Sequence, residues 1–154
     1  INAAYATGWE AGLHMTQAYY PQFELPIPES PQRPLLIVPN EDVPIYDFVI
    51  APYAMSLPWG QLWTIEKWNQ LIEYYPDKKF ALLAGPNDSR FFNHTNLTQY
   101  HGESWIKVAN LISKAKTVIT VVTGLSHLAH ALDARHVLFI NQPEWAQNQN
   151  AIFL

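Results

Sequence analysis

Short runs of consecutive apolar residues alternate along this chain with segments in which apolar residues recur every three or four positions. That is the pattern of strands exchanged with amphipathic helices. The runs Tyr46 to Ala51 (YDFVIA), Lys79 to Ala84 (KFALLA), Thr117 to Val122 (TVITVV) and His136 to Ile140 (HVLFI) predict strands. The third is β-branched almost throughout, which predicts a central strand covered on both faces. Ile65, Trp68, Leu71, Ile72 and Tyr75 predict a helix opened by Thr64 and stopped by Pro76, with Lys67 where a capping box would place Glu or Gln. Ser104 opens a second helix with Trp105, Val108, Ala109, Leu111 and Ile112 on one face, and Gly124 to Leu132 forms a third. The polar stretch Asn87 to Gly102 reads as loop, with a short helical turn near Phe91. There is no internal repeat. The alternation predicts an α/β domain of about four parallel strands, whose C-terminal ends share one edge, where open α/β sheets bind ligands.

Upstream the pattern is different. Ile1 to Tyr20 is rich in Ala and aromatics, with Trp9, Leu13 and Tyr20 at loosely helical spacing. Pro21 to Pro44 concentrates most of the prolines and favours extended backbone, interrupted by one apolar run, Leu35 to Val38. The division expected is residues 1–44 as the end of an upstream domain plus linker, and 45–154 as the α/β domain. The opening Ile1-Asn2-Ala3-Ala4 has neither an initiator Met nor signal-peptide regions, so the chain reads as a fragment or as a protein cut from a longer precursor.

Composition narrows the function classes. Hydrophobic residues make up 49% of 154, ample for a core, and no apolar run approaches the roughly 20 residues of a membrane-spanning helix. Nine Lys and Arg against thirteen Asp and Glu give a net charge of −4, a field that repels nucleic acid while allowing a local anion site. The absence of Cys excludes disulfides, thiolate zinc sites and thiol nucleophiles.

Three loops fall on the predicted ligand edge, Pro52 to Leu62, Gly85 to Arg90 and Val122 to His127. In the last, a β-branched strand runs through Thr123-Gly124-Leu125-Ser126-His127 into a helix. A helix start exposes backbone N–H groups and the positive end of the macrodipole, so a phosphate is its natural guest. Gly124 lets an anion approach the backbone, Thr123 and Ser126 offer hydroxyls, and the His127 imidazole can donate to a phosphate oxygen. The competing reading is that Thr123 or Ser126 only caps the helix and His127 fills a core gap.

Val118 to Leu132, VITVVTGLSHLAHAL, resembles the nucleotide-sugar site of the ADP-heptose:lipopolysaccharide heptosyltransferases, glycosyltransferase family 9. Their D-T-G-x-x-H-L pattern is matched at Thr123, Gly124, His127 and Leu128. FVIAPYAMSLPWGQLWTIEKWNQLI is similar to the family's strand, phosphate loop and W-P-x-x-x-W helix start, with Trp63 and Trp68 in register. KFALLAGPND and SWIKVANLISKAKTVI resemble two further family segments, so the likeness runs from about Tyr46 to Pro143.

The resemblance implies a Rossmann-like parallel sheet flanked by helices, the C-terminal, donor-binding half of a GT-B glycosyltransferase. It implies an inverting, metal-independent transfer from a nucleoside diphosphate sugar, ADP-linked and heptose-like, to lipopolysaccharide or a related surface glycan, with no separate cofactor. The donor diphosphate would meet Ser56, Gln61, Thr123, Gly124, Leu125, Ser126 and His127, and base or sugar would meet Met55, Trp59, Asp88 or Glu103. The glycan or lipid-linked acceptor and the catalytic carboxylate would belong to the N-terminal half, so no catalytic residue is assigned here and this segment alone would be inactive. A cytoplasmic location, peripheral at the inner membrane, follows in the same way.

Two positions depart from the family pattern. Its acidic residue before Thr-Gly corresponds to Val122, and its phosphate-loop lysine to Gln61, which together would weaken or alter donor binding. The alternatives are therefore a non-catalytic, degenerate nucleotide-binding module of the same fold, and a generic phosphate binder unrelated to sugars. His127 and His130 could share a helix face, but no further ligands stand at zinc spacing. Asn87-Asp88-Ser89, Asn93-His94-Thr95 and Asn96-Leu97-Thr98 fit the glycosylation sequon, which matters only in a secretory pathway. Glu103 and Lys107 also read as an ordinary surface helix pair.

Overall fold

A computed structural model of the chain describes residues 17, 20–29, 36–53, 64–86, 93–121 and 123–139. Two compact units are present, Ile1–Leu35 and Leu36–Leu154. In the first, a 3-10 turn spans Tyr20–Phe23, and Gln17 Nε2 donates to the Pro28 carbonyl at 2.8 Å. The rest of the stretch expected to be loosely helical, and the turn expected near Phe91, lie outside the described residues.

The second unit contains β1 (Phe48–Ala51), α1 (Ile65–Tyr74), β2 (Phe80–Ala84), β3 (Leu97–His101), α2 (Trp105–Lys114), β4 (Thr117–Val121), α3 (Gly124–Ala131) and β5 (His136–Phe139). The strands form one sheet in the order β3-β2-β1-β4-β5, and every neighbouring pair is parallel. A parallel sheet is built from crossovers that cover both faces, which is why its inner strands are apolar on both sides. Alternation along β1 sends Val49 and Ala51 to one face and Ile50 to the other. Val108, Leu111 and Ile112 of α2 and Ala129 of α3 cover the first face, and Trp68 and Ile72 of α1 the second. Each of these large side chains is almost wholly buried, a contribution of about 1.5–3 kcal/mol apiece before entropy is counted.

Local signals place the helix ends. Ser104 Oγ accepts from Lys107 N at 3.2 Å and opens α2, and α1 stops at Tyr74, just before Pro76. Thr64 stands at the start of α1 in extended conformation without a side-chain cap bond. Upstream of β1, buried Asn110 of α2 donates to the Pro39 carbonyl at 2.9 Å and accepts from Glu41 N at 3.1 Å, while Lys114 Nζ donates to the Glu41 carbonyl. Residues 36–47 thus run along the α/β domain and contribute Val43 and Tyr46 to its core.

Two expectations are corrected. Among the described residues the sheet has five strands, because Leu97–His101, inside a stretch expected to be loop, pairs with β2. As an edge strand it needs little apolar surface: Thr98 is exposed, while Tyr100 packs edge-on against Tyr46 with their hydroxyls 2.8 Å apart. Trp105, expected on the buried face of α2, is 69% exposed, since it occupies the first turn and the buried stripe begins at Val108. Asn110 takes a core position instead, with its amide satisfied by the incoming chain.

Candidate functional site

From β1 the chain moves outward through β2 to β3, then returns to the other side of β1 with β4 and β5. The direction of winding therefore reverses between β1 and β4, and the crevice beyond their carboxyl ends is the binding position of open parallel sheets. Two connections border it, the segment after Ala51 and the turn from β4 into α3. Ser56, Gln61, Met55 and Trp59 belong to the first and lie outside the described residues, as do Asp88 and Val122.

The second connection is well defined at its helix end. Thr123 is extended, at φ −152° and ψ 172°, and its Oγ1 accepts from Leu125 N at 2.9 Å. Ser126 Oγ donates to the Thr123 carbonyl at 2.6 Å and accepts from Thr123 N at 3.3 Å, closing a reciprocal cap. Ser126 is wholly buried, so its hydroxyl serves the turn and does not face solvent. The capping expected of Thr123 and Ser126 is thus present, with Leu125 partly buried against the core.

Gly124 and His127 occupy the outer face of the same turn, three positions apart, and both are exposed. No atom lies within 4 Å of where a Gly124 Cβ would stand, so the backbone is open to a close approach. The Leu125 and Ser126 amides are engaged within the turn, at Thr123 Oγ1 and the Thr123 carbonyl respectively. Partial desolvation of the imidazole, and secondarily the nearby His130, hold His127 below the usual histidine range. His127 is thus neutral and able to donate one N–H at neutral pH. Among the described residues no group of three or more His, Asp or Glu side chains is arranged to hold a metal ion.

At the same sheet edge, beyond β3, stands Glu103. Its carboxylate pairs with Lys107 Nζ at 2.9 Å, and that ammonium lies 5.2 Å from the centre of the Tyr100 ring. Before it, Gly102 adopts φ +62°, and a Cβ there would come within 2.8 Å of Pro86 Cβ, so the turn from β3 into α2 locks against the turn after β2. His101 ends β3, its Nδ1 3.4 Å from the Gly85 carbonyl and its Nε2 3.3 Å from Gln99 Oε1. His101 lies in the stretch that reads as loop from sequence, where the alternation Leu97, Gln99, His101 is the local signal of its strand. Three strand spacings separate the ends of β3 and β4, about 14 Å.

These features are those of a Rossmann-like α/β domain with a capped, glycine-opened helix start at its winding reversal. The chain belongs to glycosyltransferase family 9 (heptosyltransferase), whose profile matches residues 46–140. A comparison with curated proteins finds no match. Among solved structures, E. coli heptosyltransferase WaaC with ADP is 25% identical, with a TM-score of 0.54 over 61% of this chain and 33% of that one. WaaC with ADP-2-deoxy-2-fluoro heptose gives a TM-score of 0.62 at 21% identity, over 88% and 47% of the two chains. E. coli ADP-heptose lps heptosyltransferase II gives 0.59 at 19% identity, over 90% and 42%. The chain thus spans less than half the length of each, and its parallel sheet with flanking helices matches the GT-B heptosyltransferase architecture.

Proposed function

We propose that this chain is the donor-binding half of an inverting, heptosyltransferase-like glycosyltransferase that uses an ADP-linked sugar and acts on lipopolysaccharide or a related surface glycan. The observation that carries the proposal is the Thr123–His127 turn, with Gly124 and His127 open at the reversal point between β1 and β4. The donor diphosphate rests on the Gly124 amide and the positive end of α3, with the His127 N–H beside it. Leaving-group charge developing during transfer is stabilised there by preorganised dipoles, with no need for a metal. By the family resemblance, Ser56 and Gln61 are the further residues assigned to the diphosphate, and Met55, Trp59, Asp88 and Glu103 those assigned to base or sugar. The acceptor and the base that deprotonates it belong to the other half of the enzyme, which works at the cytoplasmic face of a membrane. That related structures were solved with ADP and with an ADP-sugar analogue supports this choice of donor.

A thermal-shift series with ADP, UDP, GDP, ADP-sugars and inorganic phosphate tests it. Selective stabilisation by ADP and ADP-sugars, lost in His127→Ala, is expected. Equal response to all of them indicates a generic phosphate binder, and no response at all, with Val122 and Gln61 replacing the family's Asp and Lys, indicates a degenerate module.

A further inference from the structure

Two polar residues stand where the strand pattern asks for apolar ones. Thr120 is wholly buried in β4 and His136 is 8% exposed in β5, and Thr120 Oγ1 lies 2.6 Å from His136 Nε2. In the register Val118 faces His136 and Thr120 faces Leu138, which makes Thr120 and His136 diagonal neighbours on one face. Ile119, Val121 and Val137 pack on the α1 side, so the polar pair points to the side covered by α2 and α3. Helix α3 rests on both β4 and β5 there, with Ser126 and Ala129 wholly buried. Thr120 precedes the capping residue Thr123 by three positions. The bond therefore ties together the two strands that carry α3, directly upstream of the turn.

A pair of apolar side chains would fill this space without desolvating a hydroxyl and an imidazole. What the hydrogen bond adds is direction: it fixes the separation and offset of β4 and β5, and with them the seat of α3. We propose that the Thr120–His136 hydrogen bond is a positioning strut that holds the Thr123–His127 turn at the height and tilt in which it receives the donor diphosphate. This inference rests on the donor-binding function proposed above.

The test uses the full chain with ADP as the probe. Thr120→Val keeps the shape and deletes the hydroxyl; Thr120→Ser keeps the hydroxyl. ADP affinity is read by calorimetry, and amide hydrogen exchange is followed at residues 123–127 and in β1 and β2. Thr120→Val should bind ADP about five- to tenfold more weakly and exchange faster at 123–127 than in the other strands, with Thr120→Ser within about twofold of the unmodified chain. Should Thr120→Val fail to fold, His136→Leu and His136→Gln supply the same comparison. Unchanged affinity and exchange in the Val and Leu variants, or exchange that rises equally in every strand, would overturn the strut. If the unmodified chain does not bind ADP while Thr120→Val still loosens 123–127 selectively, the donor assignment fails and the strut stands as a device of the fold.

Discussion

His136 sits where a charge cannot be solvated. Burial above all, then the neighbouring His130 and His127, pushes its pKa from 6.5 down to about 4. In the unfolded chain the same imidazole titrates near its ordinary value. Between the two values the unfolded state binds a proton that the folded state refuses, so stability falls as the pH drops through that window and is unaffected above it. The 2.5-unit difference corresponds to about 3 kcal/mol once both states are protonated, with about 2 kcal/mol of it already lost near pH 5. Urea unfolding of the unmodified chain and of His136→Gln, at several values from about pH 7.5 to about pH 5, isolates this group, because other titrations largely cancel in the difference. The account requires the stability of the unmodified chain, relative to the variant, to fall by about 2 kcal/mol across that range. Parallel stability curves, or an NMR titration of His136 centred above about pH 6, would refute the argument from burial.

Other substitutions separate scaffold from site. Gly102→Ala combines a positive φ with a clash against Pro86 and should destabilise by about 1–3 kcal/mol in urea unfolding. Gly124→Ala meets neither obstacle and should leave stability within about 0.5 kcal/mol, yet weaken ADP in calorimetry by covering the backbone the diphosphate approaches. Asn110→Ala leaves the Pro39 carbonyl and the Glu41 amide without their partner, and should cost about 1–3 kcal/mol and accelerate exchange in residues 36–47. Asp47 accepts from exposed Lys116 Nζ and from Lys79 N, which hold its carboxyl below the usual range, the Lys116 bond most. Its contribution is present above pH about 4 and lost as the pH falls below; with Lys116 71% exposed, Asp47→Asn should cost only about 0.5–1 kcal/mol at neutral pH.

Strong local signals were legible in the sequence. The runs FVIA, FALLA and TVITV read as strands and form them, and Ser104 and Thr123 announced helix starts that the hydrogen bonds bear out. Features decided by tertiary context were not legible. LTQYH carries too few apolar residues to declare itself, because an edge strand needs them on one side only. Trp105 matches the helical period yet lies before the buried stripe, and Asn110 breaks that period because its partners come from about 70 positions upstream. Thr120 reads as a β-branched core residue, and nothing local reveals that its hydroxyl meets His136. At the candidate site the residue types were legible, but their division of labour was not: Ser126 turns inward to close the cap, while Gly124 and His127 share the open face.

Amide NMR of the isotopically labelled chain during an ADP titration reads nucleotide binding at the start of α3 residue by residue. Gly124 and His127 are expected to shift most strongly, in a saturable manner complete by a few millimolar ADP, with residues following Ala51 moving in step. Silence at Gly124 when ADP reaches about 5 mM, or saturable shifts confined to the opposite edge of the sheet, would contradict it.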